Sequence, residues 1–285
     1  MQGEVNSTAR RGAAHALQAM RAIVLRELLK FSRQYGRLVS ALVRPLLWLA
    51  VFAAGLRNVF GVAIVEPYDT YIPYDVYIAP GLVGMVLLFN GMQSSLAMVY
   101  DREMGLMRLL LTAPLPRSWI LFCKLVATAV LSLAQAVAFV IVAALLGTTL
   151  PIIGAQTPAV LASAVGSALM LGALGLLLSV HIKQLENFAG TMNFVIFPMY
   201  FLSTALYPLW KLEESGAAWV YQVARFNPFT HAVEWMRFAL YGKDPGIAPW
   251  VVLGTLALCF VLACWGYDPQ RGFGALAKRG GGGSI

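Results

Sequence analysis

Charge is scarce in this sequence. Asp, Glu, Lys and Arg make up only 12% of its 285 residues, while 59% are hydrophobic. A soluble domain carries about 25% charged residues, so this chain lacks the polar surface to cover a water-facing globule. Histidine is nearly missing, with three scattered copies. No cluster of His, Asp, Glu or Cys has the spacing of a metal site or an acid–base constellation. That argues against the usual enzyme classes, and neither catalytic nor metal-ligating residues are assigned. No G-x-x-x-x-G-K-[ST] phosphate loop occurs, so the chain does not bind ATP in that way. The cysteines, Cys123, Cys259 and Cys264, are odd in number and lie within or beside apolar runs. They read as small packing residues rather than a disulfide framework. The first 37 residues hold no continuous apolar core, so no cleavable signal peptide is expected and the first span acts as its own insertion signal.

What is present is oil in long runs. Apolar segments near 20 residues recur along the chain, which is the mark of helices crossing a membrane. The expected fold is an all-α integral membrane protein of six transmembrane helices. The expected spans are Leu38–Leu56, Ile78–Val99, Trp119–Leu146, Ala159–Val180, Asn187–Leu206 and Trp250–Trp265. Residues 1–36 form a cytoplasmic lead and an interface helix, 37–268 the six-span domain, and 269–285 a cytoplasmic tail ending in a Gly-rich, linker-like stretch. Within the lead, residues 1–12 read as disordered. From Ala13 to Tyr35, Leu17, Met20, Val24, Leu28, Phe31 and Tyr35 gather on one side, with Arg26, Lys30, Arg33 and Arg37 opposite. That pattern fits a basic amphipathic helix in the membrane plane. Arg44, near the start of span one, is placed to snorkel to the headgroups.

The net charge of +8 is a matter of topology rather than of nucleic acid, because most basic residues flank apolar runs. Fifteen Lys and Arg fall on one side of the six-span layout and five on the other. The positive-inside rule therefore puts both termini and the 100–117 loop in the cytoplasm. That loop, Tyr100-Asp101-Arg102-Glu103-Met104-Gly105-Leu106-Met107-Arg108 running on to Arg117, is the densest charge cluster between two long apolar runs. A short helix over 101–113, stopped by Pro114 and Pro116, is expected there.

Polar groups inside the spans need partners or a wet path. Asn90, Gln93 and Ser94 share one face of span two, and Asn187, Thr191 and Asn193 lie on span five. These six are candidate pathway residues. Gln135 is the one strongly polar residue inside span three. Ala164, Ala168 and Gly172, with Gly175 and Ser179, make rows of small residues for close helix packing. On the outer side, Tyr68, Tyr71, Tyr74 and Tyr77 recur every third residue and read as an interfacial aromatic belt or a sugar-stacking platform. Residues 207–248 alternate aromatics with short polar pieces and are expected to form a re-entrant helical segment. There, Glu234 is expected to pair with Arg237 or Arg225.

Two stretches resemble a known family. Arg102-Glu103-Met104-Gly105, followed by Leu109-Leu110-Leu111, Pro114, Pro116 and Arg117, resembles the first cytoplasmic loop of ABC-2 type permeases. Ser203, Leu206-Tyr207-Pro208, Asn227-Pro228-Phe229-Thr230-His231 and Arg237 resemble that family's signature near span five. Ala79-Pro80-Gly81 ahead of span two is similar as well. The resemblance covers residues 13 to 268, and is closest to bacterial permeases that export drugs, lipo-oligosaccharides or polysaccharides.

That resemblance implies a homodimer in the bacterial inner membrane, with each copy docked on a separate ATP-binding subunit that carries ATP and Mg. It implies coupling to that motor through Asp101, Arg102, Glu103, Gly105, Arg108 and Arg117, and export of an amphipathic or lipid-linked substrate by alternating access. Pro208, Asn227, Pro228, His231 and Arg237 carry the signature. Other readings stay open, namely a secondary transporter, a membrane-bound enzyme, or a permease-like subunit that serves assembly or signalling without transport. A secondary transporter calls for internal repeats and a buried ion-coupling site, and the sequence displays neither.

Overall fold

A chain this apolar satisfies its backbone within each segment, and the computed structural model is helical wherever it is regular. It describes residues 2–33, 35–55, 74–105, 116–148, 150–182, 184–214 and 218–267. The helices are α1 (Gln2–Ser32), α2 (Tyr35–Gly55), α3 (Tyr74–Glu103), α4 (Arg117–Leu145), α5 (Thr157–His181), α6 (Leu185–Phe201), α7 (Leu209–Glu214), α8 (Ala218–Phe226), α9 (Pro228–Leu240) and α10 (Ala248–Gly266). Four of them, α3, α4, α5 and α10, are long and apolar enough to cross a membrane. Helices also stand where spans one and five are expected. Of these, α6 has only 17 residues, about 26 Å at 1.5 Å per residue. Pro198 lies in its last turn, and the helix ends at Phe201 rather than Leu206.

The core is built around α3. In its most apolar stretch 72% of residues are buried, against 22% in α10, which lies at the periphery. Leu82, Met85, Leu88, Phe89 and Met92 of α3 meet Phe139 of α4, Leu171 of α5, Ile196 and Tyr200 of α6, and Phe229 and Val233 of α9. Small residues set the spacing, as van der Waals packing demands in lipid. A Cβ on Gly81 would stand 2.5 Å from the Ala205 carbonyl oxygen, and one on Gly175 would stand 2.8 Å from that of Gly91. Gly172 meets Leu125 and Thr128 of α4. The small-residue rows of α5 thus serve packing, against α3 on one side and α4 on the other.

Several expectations change. Residues 2–12, expected to be disordered, continue α1 back to Gln2; the stretch is free of proline, which would break a helix there. The leader helix does not keep its charges on a face remote from the protein. Leu17 is exposed, while Arg26 and Lys30 turn inward to Asp101. A buried carboxylate outweighs the amphipathic pattern. Arg44 does more than snorkel, since its guanidinium lies 4.0 Å from the centre of the Phe89 ring. Tyr74 and Tyr77 are buried in the protein, 6% and 1% exposed, so they form neither a belt nor a platform. Tyr68 and Tyr71 lie outside the described residues, as does the 269–285 tail. Residues 101–103 are the last turn of α3 rather than the start of a separate helix, and 106–113 lie outside the described residues.

Two glycines give a direct test of the packing. Gly81→Val should lower the midpoint of thermal unfolding in detergent by an amount matching about 1–3 kcal/mol of overpacking, because the obstacle is backbone. Gly190→Val on α6, where nothing lies within 4 Å, should lower it far less. Equal losses would show that the α3 contact is not as tight as described.

Candidate functional site

At the C-terminal end of α3 two of the expected coupling residues, Asp101 and Arg102, are drawn into the bundle. The Asp101 carboxylate is 1% exposed. It is held by Lys124 Nζ of α4 at 3.4 Å, and by Lys30 Nζ and Arg26 Nη2 of α1 at 3.6 and 3.9 Å. Three cations from two neighbouring helices offset its desolvation, which a lone buried carboxylate does not survive. One residue on, Arg102 Nη2 donates to the Ser179 carbonyl of α5 at 2.8 Å. Glu103 Oε1 then accepts from the Leu185 N–H of α6 at 2.8 Å. The N-cap of α6 is Gln184, whose side chain caps nothing. Glu103 therefore supplies from another helix both the missing acceptor and a negative charge at the positive helix end. The last turn of α3 is tied to α1, α4, α5 and α6 by three successive residues.

Gly105 closes that turn at φ +71°, the left-handed position that follows many helices and favours glycine. Its N–H donates to Arg102 O at 3.2 Å. Arg117 is exposed at the first residue of α4, and Arg108 lies outside the described residues. Tyr267, just past α10, packs into the same end. Burial pushes its phenol up, while Arg102 and Arg117 pull it partly back. The sequence did not single out Lys124, Lys30 or Arg26 as partners of Asp101, and their separation along the chain carries no signal of the meeting.

The pathway candidates separate. Asn90 is buried in the bundle at 1% exposure, and Gln93 and Ser94 beside it are half-buried. On α6, Asn187 and Asn193 are exposed and Thr191 is half-buried. Asn187 Nδ2 donates to Gln184 Oε1 at 2.7 Å, and Thr191 Oγ1 to the Asn187 carbonyl at 2.8 Å. Asn90 thus shares no surface with Asn187 and Asn193. Among the described residues, no group of three His, Cys, Asp or Glu side chains could hold a metal ion.

At the other end, residues 202–208 leave the helix while five of them, Ser203 to Leu206 and Pro208, are buried. Buried carbonyls need donors, and side chains supply them. Asn227 Nδ2 donates to Met199 O at 2.8 Å and Leu202 O at 2.7 Å, while its Oδ1 caps α9 by accepting from Phe229 N at 3.0 Å. Pro228 follows at the first helical position, where a missing N–H is harmless. Arg237, 2% exposed, pairs with Glu234. Its Nη2 donates to Thr204 O at 2.9 Å and lies 3.4 Å from Tyr77 O, and its guanidinium sits 4.1 Å from the Tyr77 ring centre. Tyr74 and Tyr77 hydroxyls donate to Leu206 O and Thr204 O at 2.6 and 3.3 Å, and the Tyr207 hydroxyl to Phe201 O. His231 Nε2 lies 3.1 Å from the Arg225 carbonyl, and Pro208 is buried at the end of the break. Of the two pairings open to Glu234, the one with Arg237 is formed.

A family model described as ABC-2 type transporter matches residues 18–241. Proteins named "Putative transport permease ycf38" are similar over most of the chain. The one from Porphyra purpurea is 30% identical over 233 residues, covering 80% of this chain and 76% of its own length. That from Pyropia yezoensis is 29% identical over 259 residues, covering 89% and 81%. A third, from Cyanophora paradoxa, is 29% identical over 240 residues, covering 78% and 74%. The family match takes in both knots described above, the Asp101–Gly105 turn and the Asn227–Arg237 clamp. The chain belongs to the ABC-2 type transporter family.

Proposed function

We propose that this protein is the transmembrane permease subunit of an ATP-driven exporter. Two copies assemble in a bacterial inner membrane with both termini in the cytoplasm, and a separate ATP-binding subunit docks at the 100–117 segment. The observation that carries the reading is the three-residue hub at the end of α3. A force applied to the segment that leaves Gly105 reaches α1 and α4 through Asp101, α5 through Arg102 and α6 through Glu103. A stiff junction of this kind is what alternating access requires of a coupling point. Within the hub, Asp101 acts from inside by holding the leader helix, while Glu103, which is exposed, stands where a partner can reach it. Arg117, exposed at the first residue of α4, adds a further charge there, and Arg108 of the same segment is proposed to take part in the docking.

The substrate is amphipathic or lipid-linked. Asn187, Thr191 and Asn193 on α6, with Gln93 and Ser94 on α3, offer uncharged polar contacts and no fixed countercharge. Beside the end of α6 lies an open groove of ≈ 480 Å³ lined by Pro198, Met199, Leu202, Val223 and Phe226, with Gln222 and Asn227 as its polar members. That lining suits an acyl chain better than an ion.

Two variants test the hub. Glu103→Arg should leave the protein in the membrane yet cut the substrate-stimulated ATPase of the permease–motor complex by about tenfold, the order of one lost charge-assisted hydrogen bond. Unchanged ATPase with unchanged co-purification of the motor would sink the coupling role. Asp101→Asn leaves Lys124 buried without its counter-ion, and should cost about 3 kcal/mol. Limited proteolysis should then cut between α1 and α2 sooner than in the unaltered protein, and equal cleavage rates would refute the anchoring role of Asp101.

A further inference from the structure

The seam between α3 and α4 runs antiparallel and is pinned at both ends by polar contacts. At the inner end Lys124 meets Asp101 at 3.4 Å. At the outer end Thr148 Oγ1 lies 3.4 Å from Asp75 Oδ2. Between these two points the register follows from helix geometry alone. Asn90 lies eleven residues before Asp101, and Gln135 eleven residues after Lys124. Eleven residues make about three turns and rise about 16 Å, with about 20° of net rotation. Asn90 therefore faces α4 at the same level at which Gln135 faces α3, midway along the seam. The neighbours agree with this placement. Gly91 and Ser95 turn to α5, where Gly91 meets Leu171 and Ser95 meets Gly175, and Phe89 turns to Arg44 of α2.

Both amides are 1% exposed, and Ser132, one turn from Gln135, is fully buried. None of the polar side-chain atoms of Asn90, Gln135 and Ser132 has a hydrogen-bond partner among the described residues. Two carbonyl oxygens, two NH₂ groups and a hydroxyl at half the depth of the bundle form a large unsatisfied set. No bulk water reaches a hydrocarbon core to relieve it.

We propose that Asn90, Gln135 and Ser132 enclose a buried water site in the middle of the α3–α4 seam. The donor and acceptor inventory selects the occupant. A monovalent cation would be held by the oxygens alone and would leave both NH₂ groups unsatisfied, with no carboxylate to balance its charge. An apolar guest would satisfy none of them. Water donates and accepts together, and a buried water uses two to four polar partners. The site makes Asn90 part of a three-step polar ladder, Asp101–Lys124, Asn90–Gln135 and Asp75–Thr148, that sets the register of the two helices. The inference stands apart from the transport reading, because it concerns one chain and no substrate.

The test uses the full-length protein in nanodiscs. Hydroxyl-radical footprinting by X-ray radiolysis labels buried side chains that lie beside bound water. Phe139, one turn from Gln135, and Phe229, packed against Gly84 and Tyr200, are both 0% exposed. Phe139 should be labelled several-fold more than Phe229, and that excess should vanish in the Asn90→Leu, Gln135→Leu double variant. Equal labelling of the two rings in the unaltered protein would overturn the site and leave a dry, directly bonded amide pair. Thermal unfolding gives a second reading. Each single Leu variant should lose several degrees, because it strands the remaining amide, and the double variant should recover at least half of the summed loss. Additive losses would also overturn the proposal. A rise in unfolding temperature with added Na⁺ or K⁺ that the double variant lacks would replace water with a cation.

Discussion

A buried backbone that leaves the helix must find its hydrogen bonds in the protein, and the Leu202–Pro208 break is where this chain meets that demand. Without donors there, α6 could not stop at Phe201 and turn back through α7 and α8 into α9. Asn227, Arg237, Tyr74, Tyr77 and Tyr207 each donate to a carbonyl at or beside the break. The donors come from α3, from the break itself and from the N-cap and last turn of α9, so satisfying the carbonyls also welds three parts of the fold. Arg237 is suited to this because its planar group serves several acceptors at once and stacks on an aromatic face. Of the signature residues, Asn227 and Arg237 are thus hydrogen-bond donors before they are anything else.

The opposite end obeys the same rule with charges. Asp101 is buried among Arg26, Lys30 and Lys124, and its neighbours Arg102 and Glu103 reach past it to a carbonyl of α5 and an N–H of α6. A charged run at a membrane face has two uses, as surface and as internal joint, and consecutive residues of one turn point in different directions. Here Asp101 and Arg102 serve the joint alone, while Glu103 joins α6 and also stays exposed at the surface. Between the two ends, α3 presents glycines wherever another backbone approaches, so the whole assembly hangs on one central helix.

Much of this was legible in the order of residues. Low charge, long apolar runs and the spacing of Pro208, Asn227, Pro228 and Arg237 were enough to point to a helical membrane protein of the ABC-2 kind, and the family match agrees with that resemblance. The Glu234–Arg237 pair was readable because three residues make one helical turn. Other features were not readable, for stated reasons. The tyrosines at 74 and 77 have belt-like spacing, and spacing does not say whether a ring faces lipid or a distant carbonyl. The amphipathic pattern of α1 gave its faces but not which face meets Asp101, which lies far along the chain. Proline at 198 marked a disturbance in α6 without marking where the helix ends.

The sequence by itself determined the solvent of this protein and the state of its backbone, because hydrophobic length and the absence of charge leave a chain only helices in a bilayer. It also determined which residue types serve as caps, breaks and close contacts, since those depend on local chemistry. Only the tertiary structure decided which polar group meets which. The pairing of Asp101 with α1 and α4, the gathering of donors on the Leu202–Pro208 carbonyls and the placement of Asn90 opposite Gln135 all join residues remote in sequence. In a medium that solvates no polar group, such pairings are set by helix register and crossing, which no local pattern encodes.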